Sequence, residues 1–169
     1  GHAVNTTSRD FNFLPDADVD YYTSNAVETH TNSWHTFQDD TLTPGIHVFT
    51  GSWIWVHNLV LEGTMVFTGR YVFFTGENEI TAPVDTVNQP AALVFTNTNA
   101  NISLDNETIM GPIYSNKRVK IRDDAVLSGP VVARVIEIMA DVDFQQAENS
   151  HYYGWVKNGM GNHGDYKWP

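Results

Sequence analysis

Three columns of apolar residues recur in this chain at a fixed offset of 17 residues. Ile102 aligns with Val119 and Ile136, Leu104 with Ile121 and Ile138, and Met110 with Leu127 and Phe144. Within each segment apolar residues alternate with polar ones, as in Val119-Lys120-Ile121-Arg122. Alternation sends one set of side chains inward and the other outward on a strand. A strand-like unit that returns every 17 to 20 residues predicts one coil of a solenoid, each coil stacking on the last. The expected fold is all-β, a single-stack β-solenoid (parallel β-helix) with coils of about 17–18 residues and irregular caps at both ends. A second series agrees. Val48-Phe49-Thr50-Gly51 returns as Val66-Phe67-Thr68-Gly69, an offset of 18, with relatives in Phe74-Thr75-Gly76 and Val94-Phe95-Thr96-Asn97. Each ends in Gly or Asn, residues that tolerate the left-handed conformation a corner needs.

The pattern divides the chain. Residues 1–44 are polar and acidic and are expected as an extended N-terminal cap with at most one short helical turn. Residues 45–144 carry the solenoid, with a loop inserted at 82–91, where Pro83 and Pro90 break the period. Residues 145–169 are a glycine and aromatic C-terminal cap or tail. At 169 residues and 41% hydrophobic composition, the chain is long enough for one domain with a real core. It has no cysteine, which excludes disulfides, thiolate metal sites and cysteine nucleophiles. Its net charge is −11, which argues against nucleic-acid binding over the whole surface. Gly1-His2 looks like a remnant of tag removal, so the native chain is expected to begin further upstream. No phosphate loop, nucleophile elbow or dinucleotide fingerprint is present.

Residues 46–144 contain the series Leu59-Val60-Leu61-Glu62-Gly63, Gly111-Pro112-Ile113-Tyr114-Ser115-Asn116, Val119-Lys120-Ile121, Gly129-Pro130-Val131-Val132-Ala133, Val135-Ile136-Glu137-Ile138 and Val142-Asp143-Phe144. This series resembles the β-solenoid domain of PilX-like minor pilins of bacterial type IV pili. The resemblance implies a structural or adhesive soluble head of a cell-surface filament, with other pilus or filament subunits as partners. It also implies an extracellular or cell-surface location in a bacterium. That family's N-terminal apolar helix is missing here, and membrane attachment would come only through such a helix.

Four of the nine cationic residues, Lys117, Arg118, Lys120 and Arg122, lie together. With Val119 and Ile121 inward, Arg118, Lys120 and Arg122 share the outward face. Such a stripe could meet DNA phosphates, while the 17-residue register offers pairing of Lys120 with Glu137 instead. Trp53 and Trp55 lie two apart on one strand face. They suit either sugar-ring stacking or the core, and the core is the favoured expectation. Tyr152, Tyr153, Trp155 and Trp168 in the tail pose the same choice between a glycan rim and a cap.

Asp16, Asp18 and Asp20 begin like a calcium loop, but Tyr21 and Val27 stand where an EF-hand needs Gly and Glu. Asp141 and Asp143 form a second weak Ca²⁺ candidate. With Arg134 or Lys120 as base, an acidic groove of that kind would suit a polysaccharide-active enzyme. His30 and His35, followed by Asp39 and Asp40, match no zinc spacing. The expected function is therefore docking, with no cofactor apart from a possible Ca²⁺. A carbohydrate-binding module is the alternative, and a Ca²⁺-dependent enzyme a more distant one.

Overall fold

The computed structural model describes residues 17–83, 91–96, 98–103, 108–122, 126–138 and 143–145, with backbone alone for 101–103, 122 and 143–145. A short helix, α1 (Val19–Ser24), precedes the strands. The strands are β1 (Ala26–His30), β2 (Trp34–Gln38), β3 (Gly45–Phe49), β4 (Trp53–His57), β5 (Val60–Phe67), β6 (Tyr71–Thr75) and β7 (Glu79–Thr81). They continue as β8 (Leu93–Phe95), β9 (Asn99–Ser103), β10 (Thr108–Met110), β11 (Ile113–Arg122), β12 (Val126–Ser128), β13 (Val131–Ile138) and β14 (Asp143–Gln145).

These strands form a β-solenoid of about 5 turns, as the repeat predicts. The strand pairings are parallel and run from each coil to the next. Three faces result. The first stacks β1, β3, the second half of β5, β8 and the first residues of β11 and β13. The second stacks β2, β4, β6, β9 and the remainder of β11 and β13. The third stacks the first residues of β5 on β7, β10, β12 and β14. Strands β5, β11 and β13 each turn a corner and so serve two faces.

Register departs from a uniform 17. Val48 pairs with Val66 and Leu127 with Phe144, as expected. Val119 pairs with Ile136, also as expected, but Ile121 pairs with Ile102, and Ile109, not Met110, pairs with Leu127. Coil length varies because corners and bulges absorb single residues. The β11–β13 pairing shows this directly: Ile113 meets Val131, yet after a shift between Ser115 and Arg118 the partner of Arg118 is Val135. Across the inserted loop Met65 pairs with Leu93, an offset of 28.

The solenoid also starts earlier than expected. Strands β1 and β2 pair in parallel with β3 and β4, so the first coil lies inside residues 1–44. The helical turn in that segment is present, but α1 lies on the flank of the first face. Tyr22 and Ala17 pack with Val48, Val66, Ala91, Val94 and Tyr114 on its outer side. Burial pushes the Tyr22 hydroxyl pKa well up.

Inside, matching residues of successive coils stack. Phe49, Phe67 and Phe95 form one column, with ring centroids 4.9 and 5.4 Å apart. Ile54, Val56, Val72, Phe74, Val119 and Ile121 face them from the second face. Burying each such side chain contributes about 1.5–3 kcal/mol. One corner is held by a polar ladder. Asp39 and Asn58 both take φ of 51° and Gly76 takes φ of 81°, each on top of the last. The Asn58 amide donates to Asp39 Oδ1 at 2.6 Å, and Asn58 Oδ1 accepts from the Glu77 N–H at 2.9 Å.

Candidate functional site

The outward side of the second face concentrates the chemistry. In β4, Ile54 (2% exposed) and Val56 (0%) point inward. The alternation therefore places Trp53, Trp55 and His57 outward, each half-buried. The expectation that Trp53 and Trp55 belong to the core is corrected: in Trp-Ile-Trp-Val-His both parities are apolar, and the aliphatic pair takes the interior. Register extends the tryptophans into columns. Trp34 stacks on Trp53 and then on Tyr71, and Thr36 on Trp55 and then on Phe73.

The rings of this array are nearly parallel in both directions. Trp34 lies 5.7 Å from both Trp53 and Trp55, at 19° and 27°. Trp55 lies 5.2 Å from Phe73 at 17°, and Trp53 lies 4.5 Å from Tyr71 at 32°. Such spacing overlaps the rings like shingles, and offset contacts of this kind each contribute about 0.5–1.5 kcal/mol. Trp34, at the free edge of the array, is 69% exposed. A shallow groove of about 570 Å³ runs beside it, lined by Trp34, Thr36, Gln38, Trp55, His57 and Thr75 among others. His57 Nδ1 and Thr75 Oγ1 are 3.1 Å apart, so this wall of the groove carries a fixed pair of hydrogen-bonding groups.

The basic stripe lies on the same face, further along the columns. Phe73 pairs with Asn101 and Asn101 with Lys120, while Asn99 lies level with Arg118. Trp34 and Arg118 are thus four rung steps apart, about 19 Å. Arg118 Nε lies 3.2 Å and Lys120 Nζ 3.3 Å from the two oxygens of Glu137, so one carboxylate pairs with both cations. The intercoil pairing expected for Lys120 is present, and Arg118 joins it. Lys117 lies in the bulged part of β11, where its N–H donates to Ser115 Oγ. Arg122 ends β11 in register with Ser103.

The other sequence candidates are dispersed. Asp18 is the N-cap of α1 and accepts from the Tyr21 N–H at 2.9 Å, the ordinary use of an aspartate at that position. Asp20 lies in the first turn of the same helix. Asp143 pairs through its backbone with Val126 in the last rung. Asp16, Asp141, Tyr152, Tyr153, Trp155 and Trp168 lie outside the described residues, as does most of the loop at 82–91. Among the described residues no helix is long and apolar enough to cross a membrane.

Two features were missed from sequence. Trp34, Tyr71 and Phe73 complete the array, and the 18- and 19-residue register from Trp53 and Trp55 was the signal that could have found them. A group of Glu28, His30 and His47 gathers at the first coil, with a ligand atom from each within 4.8 Å of the others. Burial lowers the His30 pKa, and the nearby His47 adds to this, whereas Glu28 opposes it. Comparison with family models, curated proteins and solved structures finds no match to this chain.

Proposed function

We propose that this protein is a non-catalytic binding module that docks on extended, uncharged polysaccharide through the outer side of its second face. The observation that supports the reading most is the outward array of Trp34, Trp53, Trp55, Tyr71 and Phe73. Contiguous aromatic surface of this kind is costly to leave wet unless it meets a partner. The C–H face of a sugar ring is apolar and weakly positive, which suits the negative face of an indole. Thr36, Gln38, His57 and Thr75 border the array with donors and acceptors for hydroxyl groups. An uncharged glycan is favoured over an anionic one because the chain carries −11 overall and Arg118 and Lys120 already share Glu137, while the cation nearest the array, Arg70, lies over the Tyr71 ring, 5.4 Å from its centre. In the cell-surface filament that the pilin resemblance implies, this face would be the adhesive one.

Affinity electrophoresis against a panel of soluble neutral polysaccharides tests the proposal. Saturable retardation is expected with at least one of them. Trp55→Ala should weaken it about tenfold or more, the cost of truncating an aromatic hot spot, while the loss of its contacts with Trp34, Trp53 and Phe73 lowers the melting temperature of a chain that still folds. Retardation by none of the panel, or equal retardation of wild type and Trp55→Ala, would contradict it.

A further inference from the structure

At the open end of the core, the inward column that reads Met65, Leu93 and Ile113 in later coils becomes His47 and then Glu28. His30 stacks beside them, 4.5 Å from the Phe49 ring at 11° and 5.5 Å from the His47 ring at 16°. His47 and Glu28 thus occupy a column that later coils fill with Met65, Leu93 and Ile113, and His30 ends the column of Phe49, Phe67 and Phe95. His47 is fully buried. Its Nε2–H donates to the Thr43 carbonyl at 2.7 Å, which fixes the tautomer and leaves Nδ1 as a bare lone pair. That lone pair faces His30 Nε2 at 3.2 Å. Glu28 Oε1 lies on the other side of His30, 3.7 Å from Nδ1, and its side chain is 60% exposed.

We propose that Glu28, His30 and His47 form a binding site for a divalent transition-metal ion of the zinc class. Two nitrogens bound to one zinc at about 2.0–2.1 Å in tetrahedral geometry stand about 3.4 Å apart, close to the separation found between His30 Nε2 and His47 Nδ1. The Thr43 carbonyl that holds the far nitrogen of His47 is the outer-shell partner that metal-bound histidines ordinarily have. The solvent-side position of Glu28 lets its carboxylate turn onto the same point with little rearrangement of the backbone. Two imidazoles and one carboxylate favour zinc, nickel or copper over calcium or magnesium. Binding moves the proton now on His30 Nε2 to Nδ1 or to solvent. A fourth position stays open to water. The ion would tie β1 to β3 and so fasten the first coil to the stack.

Zinc titration of the full chain against a competing chromogenic chelator tests this. One ion per chain is expected, with EDTA-reversible elevation of the melting temperature. Glu28→Gln and His30→Gln should each weaken zinc binding about tenfold or more. His47 is too deeply packed for its replacement to be informative, whereas Glu28 is exposed and its replacement leaves the core intact. Co²⁺ should give the intense visible bands of a four-coordinate site, and these should be absent in Glu28→Gln. Absence of saturable binding, or binding unchanged by both substitutions, would overturn the assignment.

Discussion

The corner residue Asn58 shows how a single side chain serves both conformation and hydrogen bonding. It holds a left-handed backbone, donates to Asp39 and accepts from the Glu77 N–H. Asn58→Ala is expected to cost about 1–2 kcal/mol, because alanine resists that conformation and both bonds are lost. The bond from Asn58 also holds the Asp39 carboxyl below its ordinary pKa. A carboxyl depressed in the folded state contributes stability that is complete above the unfolded value and lost as pH falls through the folded one. The stability gap between wild type and Asn58→Ala should therefore be constant at neutral pH and narrow below about pH 4. Urea titrations at a series of pH values check both parts. Residues of this kind were legible in part. Gly and Asn marked the corners in the sequence, but nothing in Gln38-Asp39-Asp40 announced that Asp39 would stack under Asn58. That relation exists only once the register of the first coil is known.

Elements stack closely enough that some positions admit only hydrogen as a side chain. A Cβ on Gly69 would strike the carbonyl oxygen of Gly51 one coil below, and a Cβ on Gly63 would strike that of Gly45. Gly69→Ala should therefore destabilise by about 1–3 kcal/mol or more, since the obstacle is backbone. Thermal melting would register this as a clear loss, and a neutral result would mean that coils separate more easily than the parallel pairing implies. The repeated Phe-Thr-Gly segments made this stacking readable, and Val48 over Val66 follows directly. Strands β1 and β2 were not readable as a coil. Ala-Val-Glu-Thr-His and Trp-His-Thr-Phe-Gln carry too many polar residues, because their inward positions hold His30 where later coils hold Phe49 and Phe67, and His35 where they hold Ile54 and Val72. The same substitution of imidazole for hydrocarbon created the proposed metal site, so one local departure from pattern hid both the element and its chemistry. Trp53 and Trp55 failed for the opposite reason. Apolar side chains at both parities of β4 left the face undetermined until Ile54 and Val56 were seen inside.

As a whole, the molecule is a stack whose inner columns supply cohesion and whose outer faces differ. The first face is covered along its flank by α1 and Ala91, whereas the outer side of the second face carries aromatics and then basic residues along its length. Rigid parallel coils hold those side chains about 4.8 Å apart from rung to rung, a fixed lattice suited to an extended polymer. The two clusters that the sequence offered separately, the tryptophans and the basic stripe, share that face because register carries Trp53 through Tyr71 to Asn99 beside Arg118. Proton–nitrogen correlation spectra of the indole N–H groups show whether the outer aromatic array binds glycan, since all five tryptophans report at once. Added neutral polysaccharide is predicted to move the signals of Trp34, Trp53 and Trp55 together in a saturable way, with Trp155 and Trp168 unmoved. Stationary signals from the three array tryptophans, or shifts confined to Trp155 and Trp168, would contradict the account.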